Sequence, residues 1–447
     1  MMRYVIASSR CPFSHDVVMG RELVKENVGG VATALKRAIS KHGGTWICWG
    51  DGKADNRYVN EDVGTYKIKR IILTPQEKRG YYDMYSNRTL WPLFHYFRER
   101  VQYTDNGYET YRKVNEKFAE EILNNTSQED IVWVHDYQLS LVPGILRQKG
   151  LKNRIIFTWH IPWVSREMFE TLTESDEIKE SVGSADFITF HTDLYRKNFE
   201  SLFENRKHGK SIAVPLGIDY RYFEKAKSSQ IKSYALKDKI MLFSIDRLDY
   251  TKGLTNRVLS IERLIRNHPE TSGKFVYVMI VTPSRTSVSD YVSMKRELEM
   301  NIGRVNGEFG TISWMPILYM YRKISDHSLV SYYKSADIAL ITPLIDGLNL
   351  VSKEFIASTE KGILVLSKFA GASNCLRGAL IVNPNSPDEV ADAIYKAMNM
   401  ERKEADERLL KMKAIVKARD TDWWIKRIYR LAIAKEHDRR VTNNRIE

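Results

Sequence analysis

Along this chain, short and nearly continuous apolar runs alternate with longer segments whose apolar positions recur every three or four residues. RYVIAS, TWICWG, IVWVHD, RIIFTWH, FITFHT and SIAVPLGI are of the first kind, and GGVATALKRAI and YQLSLVPGILRQ of the second. Continuous apolar runs suit strands covered by helices on both faces, and their alternation with helical spacing predicts βαβ units around a parallel sheet. The pattern fades near residue 220 in the lysine-rich stretch EKAKSSQIKSYALKDK. It restarts with IMLFSID and continues through KFVYVMIV, DIALITPL, GILVLS and GALIVNP, interleaved with helical patterns such as GLTNRVLSIERLIRNH and DEVADAIYKAMNM. The expectation is two doubly wound α/β domains, residues 1–225 and 236–420, joined by the lysine-rich stretch.

A length of 447 residues agrees with two domains of roughly 200 residues each. Lys+Arg 69 against Asp+Glu 56 gives a formal charge of +13, which suits anionic partners. The basic residues are scattered, so no nucleic-acid-binding stripe forms and nucleic acid is not an expected partner. No apolar stretch approaches the roughly 20 residues of a membrane span, and the N-terminal apolar run is too short for a signal core. Cys11, Cys48 and Cys375 are odd in number and widely spaced. That spacing suggests neither a disulfide framework nor a zinc site, and points to a reducing, cytoplasmic compartment.

Doubly wound sheets bind ligands outside the carboxyl ends of their strands, so polar residues just after strands are the candidates. Arg10 follows the first strand, and Gly29 and Gly30 open the first helix, where backbone N–H groups can approach a phosphate. The long segment between them reads as a mobile loop. Tyr82 and Trp91 are nine residues apart, on opposite faces of one α-helix, and can converge only if a helix begins between them, which Pro92 favours. Asp136 and His160 leave strand ends with groups that bind sugar hydroxyls, although a strand-end Asp is also a common helix cap. In SIDRLDYTKGL, Arg247 and Lys252 can neutralise a diphosphate, or can pair locally with Asp246 and Asp249. In TPLIDGLNLVSKEF, Asp346 follows a strand and Glu354 lies in the next helix, while the N–H groups of Leu348, Asn349 and Leu350 open that helix toward an anion.

With these residues in place, the chain resembles the trehalose-6-phosphate synthases of retaining glycosyltransferase family 20 from about Arg3 to Trp424. The ordered motifs carry the resemblance: GG before ATAL, GGTWICWG, YYDMYSNRTLWPLFHY, VWVHDYQLSLVP, HIPW, DRLDYTKGL, TPSR, GRVNGEFG, TPLIDGLNLVSKE and SKFAGAS…ALIVNP. The resemblance implies a GT-B fold: two Rossmann-like domains with the active site in the cleft between them, and a last helix, about 421–447, returning to complete the first domain. It implies that Arg10, Tyr82, Trp91 and Arg285 hold the phosphate of glucose 6-phosphate, and that Trp46 and Asp136 shape the acceptor-sugar site. Gly30, Arg247 and Lys252 would hold the donor diphosphate. His160 and Asp346 would bind donor glucose, with backbone help from Leu348, Asn349 and Leu350, and Glu354 would bind the ribose.

The implied activity is glucose transfer with retention from a nucleotide-glucose, UDP-glucose first among them, to glucose 6-phosphate. No protein nucleophile, metal or other cofactor is called for. The alternatives are a relative with another acceptor, such as glycerol 3-phosphate, and a catalytically silent sugar-phosphate-binding homologue. A homo-oligomer is compatible with the reading, and free trehalose would require a separate phosphatase. Four local departures from the family pattern stand out: a longer and more charged loop between Arg10 and Gly29, HIPW in place of an HIPFP-like run, His191 in FHT where FQT is usual, and Cys375 where an acidic residue is common.

Overall fold

The computed structural model describes residues 3–26, 29–203, 208–229, 231, 233–284 and 289–433. By internal contacts these form two units, one of residues up to Leu216 together with Asp422 onward, the other from Gly217 to Thr421.

The first unit is built on β1 (Tyr4–Arg10), β2 (Phe13–Val18), β3 (Arg21–Glu26), β4 (Gly44–Gly50), β5 (Asn60–Asp62), β6 (Lys67–Ile72), β7 (Ile131–His135), β8 (Ile155–Thr158), β9 (Phe187–Phe190) and β10 (Lys210–Ala213). Eight of them make one sheet in the order β10-β9-β8-β7-β1-β4-β6-β5, parallel except where β5 meets β6. All residues of β7, β8 and β9 are buried, as strands covered on both faces must be. The chain leaves β1 toward β4 on one side and later returns to β7 on the other, so the strand order reverses between β1 and β7. The helix Thr421–Ile433 belongs to this unit: Trp424 packs on Trp133 with ring centroids 5.1 Å apart, Tyr429 stacks on His42 at 4.8 Å, and Arg37 bonds Asp422 at 2.8 Å.

The second unit carries β11 (Ile240–Arg247), β12 (Phe275–Thr282), β13 (Ile317–Tyr321), β14 (Ile338–Ile341), β15 (Ile363–Ser367) and β16 (Leu380–Val382). Its sheet, β13-β12-β11-β14-β15-β16, is parallel throughout and reverses order between β11 and β14. The lysine-rich stretch read as the connection is tied into this unit, since Lys334 donates to the Ala226 carbonyl and Ser229 N–H to Ser331.

Three expectations are corrected. The segment after Arg10 is not an irregular loop: β2 and β3 pair antiparallel across a two-residue turn in which Met19 and Gly20 both have positive φ, 50° and 76°. That geometry matches the twist of a hairpin. The hairpin is anchored at its base, where buried His15 stacks on Tyr58 at 3.9 Å and its amide donates to Asp55 at 2.8 Å.

No helix begins between Tyr82 and Trp91. The helix starts at Pro75 behind a Thr74–Glu77 capping box, winds as a π-helix from Arg79 to Leu90, and continues through Trp91–Phe94. Trp91 therefore donates its N–H to the Ser86 carbonyl instead of standing at a free helix end.

Finally, Cys11 and Cys48 form a disulfide. They are 37 residues apart in sequence, but β1 and β4 are adjacent parallel strands and both cysteines sit at the same end of them. The cysteine count therefore does not argue for a reducing compartment. Cys375 is a free thiol. Among the described residues no helix is long and apolar enough to cross a membrane.

Candidate functional site

At the carboxyl end of β1 the Arg10 guanidinium lies over two rings, 5.1 Å from the centre of Tyr82 and 5.9 Å from that of Trp49. It donates to Asp51 at 2.7 Å and to the Tyr82 hydroxyl at 3.0 Å. The Lys78 ammonium also lies 5.9 Å from the Trp49 ring centre. Two cations and one carboxylate share this rim, so it carries net positive charge suited to an anion, with aromatic faces fixing the guanidinium. Tyr82 and Trp91 are brought toward one face by the π-helix, because nine residues at the wider i→i+5 winding make about two turns. Trp91 itself is buried against His95, at 4.0 Å, and Tyr137, at 5.9 Å.

The two tryptophans of β4 face opposite sides of the sheet. Trp46 is fully buried and its indole donates to Ser8 Oγ at 2.8 Å. Trp49, an odd number of residues further along β4, points the opposite way and joins Arg10 and Tyr82. Period-two alternation, counted from the strand end, was the signal available for it. Asp51 and Lys78 were also missed. Arg285 lies outside the described residues.

Across the strand-order reversal from β1, β7 ends at His135 and is followed by Asp136 at φ 71°, ψ 168°, a backbone region that residues with a side chain rarely occupy. Its carboxylate accepts the His160 amide at 3.1 Å, and burial pushes the carboxyl up to about 7. The His160 ring is engaged on both sides: Nε2 is 3.1 Å from His135 Nδ1, and Nδ1 is 3.2 Å from His191 Nε2. Burial pulls His160 down to about 3 and His135 well below the usual histidine range, so both are neutral imidazoles at pH 7. Both nitrogens of the His160 ring thus face neighbouring imidazoles.

Gly30 is the first residue of the helix Gly30–His42, whose first turn holds no acidic residue. Among the described residues a Cβ at Gly29 would meet nothing within 4 Å, and its backbone is extended. The protein itself thus imposes no need for glycine at Gly29, which leaves the helix N-terminus open to a closely approaching anion.

In the second unit the reversal between β11 and β14 gathers the charged residues. Arg247 ends β11 and is exposed. Lys252, five residues on, reaches Asp346 after β14 at 2.5 Å. Asp246 forms a buried ion pair with Arg257 at 2.6 Å, with Lys252 also acting on it electrostatically, and Asp249 accepts from Thr251. Gly253 at φ 64° makes the turn into the helix Leu254–Asn267, and a Cβ there would lie 2.7 Å from the Thr342 carbonyl oxygen.

Asp346 also accepts from Asn349 Nδ2 at 3.2 Å and, at 3.4 Å, from the Leu348 N–H. Asn349 is the N-cap of the helix Leu350–Ser358, in left-handed conformation with its side chain accepting from Ser352. The opening toward an anion therefore starts at the Leu350 N–H, while the Leu348 N–H is turned to Asp346. Glu354, within this helix, accepts from Tyr333 at 2.9 Å, and burial raises it to about 7. Among the described residues no group of three or more His, Cys, Asp or Glu side chains is placed to hold a metal ion.

Two doubly wound units with cations and carboxyls gathered at their strand-order reversals are the architecture of a glycosyltransferase of the GT-B class. The family model of glycosyltransferase family 20 matches residues 5–433. The bifunctional trehalose-6-phosphate synthase/phosphatase of Thermoproteus tenax is 36% identical in an alignment covering 97% of this chain, and the chain spans 64% of that relative's length. The E. coli protein solved with UDP-2-fluoro glucose superposes with a TM-score of 0.90 at 32% identity, over 97% of this chain and 99% of the other. An α,α-trehalose-phosphate synthase (UDP-forming) from Burkholderia xenovorans, solved with glucose-6-phosphate, gives 0.87 at 29% identity, over 96% and 100%. The chain belongs to glycosyltransferase family 20.

Proposed function

We propose that this protein is an α,α-trehalose-6-phosphate synthase, transferring glucose with retention from a nucleotide-glucose, UDP-glucose first, to glucose 6-phosphate. The observation that carries the reading is the Arg10–Trp49–Tyr82 cluster, a cationic and aromatic rim fitted to a sugar phosphate. Relatives of this chain are solved with a UDP-glucose analogue and with glucose-6-phosphate, which supports the same pair of ligands here.

In this reading Arg10 and Tyr82, with Lys78 nearby, hold the acceptor phosphate, and Asp51 orients Arg10. Trp49 takes the place first given to Trp46 beside the acceptor, and Asp136 accepts from its hydroxyls. Arg247 and Lys252 neutralise the donor diphosphate, Gly30 offers an anion position at its helix N-terminus, Asp346 receives donor glucose hydroxyls, and Glu354 receives the ribose. When donor binds, the Lys252 ammonium exchanges Asp346 for phosphate oxygen, which frees the carboxylate for the sugar.

The bond from the anomeric carbon to the diphosphate oxygen breaks as the acceptor hydroxyl bonds to the same face of that carbon. Its proton passes to the departing phosphate oxygen, so neither a protein nucleophile nor a protein base is consumed. Positioning and electrostatic stabilisation of the leaving group supply the rate. We place the enzyme in the cytoplasm, where both substrates are made, with a phosphatase needed for free trehalose.

The test is incubation of pure protein with UDP-, GDP- or ADP-glucose and, in turn, glucose 6-phosphate, glycerol 3-phosphate and glucose. The expected product is trehalose 6-phosphate from glucose 6-phosphate alone. A glycerol 3-phosphate product would assign the related acceptor, and no product from any pair would leave a binding protein.

A further inference from the structure

Three histidines end three neighbouring strands: His135 closes β7, His160 lies two residues beyond β8, and His191 one residue beyond β9. Their rings are joined in line by the contacts at 3.1 and 3.2 Å, and the line ends on the backbone of Leu216, whose N–H donates to His191 Nδ1 at 3.4 Å. A backbone amide can only donate, which gives the line a direction. His191 must carry its proton on Nε2 and donate it to His160 Nδ1. His160 then carries its proton on Nε2 and donates to His135 Nδ1. At the far end, His135 Nε2 is buried and has no hydrogen-bonding partner among the described residues, its ring centroid 4.7 Å from that of Trp133, so none of them imposes the opposite order there.

This strap begins where the ladder hydrogen bonds stop, and it brackets Asp136, which follows His135 directly and accepts the His160 amide. A strained backbone persists only where its surroundings over-determine it. We infer that the Leu216 amide locks His135, His160 and His191 in one tautomer, and that the locked strap holds Asp136 in the conformation that serves the acceptor. His191 is thereby a positioning residue. Glutamine is the conservative replacement, because its amide also offers one acceptor and one donor, whereas leucine offers neither.

The inference rests on the proposed transfer reaction for its kinetic readout, and an NMR readout is independent of it. In protein carrying ¹⁵N-labelled histidine, assigned with single His→Gln variants, His160 is expected as the neutral imidazole protonated at Nε2. His191→Gln keeps that signature and transfers glucose within about twofold of wild type, while His191→Leu loses it and drops kcat on the order of 10- to 100-fold, the scale of a small misplacement in an active site.

A wild-type His160 protonated at Nδ1 overturns the inference whatever the variants do. Equal losses in His191→Gln and His191→Leu, or no change in either, also overturn it. A locked tautomer in a protein that transfers no glucose would sink the proposed function and leave the strap standing.

Discussion

The two units place their polar residues at the same topological point and fill it with different chemistry. At the β11/β14 reversal the groups are formally charged and compensated: Lys252 meets Asp346, and Asp246 meets Arg257. At the β1/β7 reversal the buried groups are two neutral imidazoles and a carboxyl raised to about 7, with the charge of Arg10 kept at the exposed rim among aromatic rings. A diphosphate leaving group needs mobile counter-charge, which an ion pair can release. An acceptor hydroxyl needs fixed direction, which strained backbone and locked hydrogen bonds supply. On this account the second unit acts mainly on kcat and the first mainly on acceptor binding and aim.

The largest expected effect is on stability, and it should be confined to the first unit. Replacing Cys11 and Cys48 by serine opens a link spanning 37 residues, which is worth about 4 kcal/mol on the chain-entropy account. Chemical denaturation should show this loss, and binding of nucleoside diphosphate by the variant should be unchanged. A matching loss in nucleotide affinity would break the division of labour.

Next in size, Lys252→Ala should lower kcat by about 10²- to 10³-fold, the scale of a lost contact to developing charge. Steady-state kinetics with circular dichroism as a folding control decides it, and a change carried only in KM would contradict the leaving-group role.

Arg10→Ala should then raise KM for glucose 6-phosphate, with kcat/KM down about 10- to 100-fold, as for one charge-assisted hydrogen bond. Its affinity for nucleoside diphosphate should stay as in wild type. An unchanged KM for glucose 6-phosphate would remove Arg10 from phosphate recognition.

The smallest effect concerns Asp136. Because its carboxyl is raised in the fold, the folded state binds that proton more tightly than the unfolded chain does. Stability from this group is therefore full below about 4 and is lost as pH rises through about 7. Asp136→Gly should relieve the backbone by about 1 kcal/mol and flatten this slope, leaving the similar contribution of Glu354. Thermal melts at pH 4 and pH 8 read both terms, and a glycine variant less stable than wild type at pH 8 would refute the strain.

The sheets were legible because buried parallel strands announce themselves as continuous apolar runs. The second unit's site was legible for a related reason: Arg247 and Lys252 sit within one strand-to-helix turn, and Asp346 and Glu354 within another, so their grouping is nearly a sequence property. The first unit's site depends on facts that spacing does not carry. Placing Trp49 rather than Trp46 beside Arg10 requires knowing where β4 ends, Tyr82 and Trp91 share a face only on a π-helix, and Cys11 meets Cys48 because β1 and β4 are neighbours. The histidine strap joins three strand ends that are far apart in sequence. The hairpin was hidden because Met19 is an unusual residue for the left-handed position in its turn.

The central claim is that this chain moves glucose from a nucleotide to a sugar phosphate without inverting the anomeric carbon. The most direct test is the ¹H NMR spectrum of the product formed from UDP-glucose and glucose 6-phosphate by the purified protein. The account predicts that UDP is released together with a disaccharide phosphate whose two anomeric protons both show the small coupling of α linkages. A β-linked product, or UDP released with free glucose and no disaccharide, would contradict it.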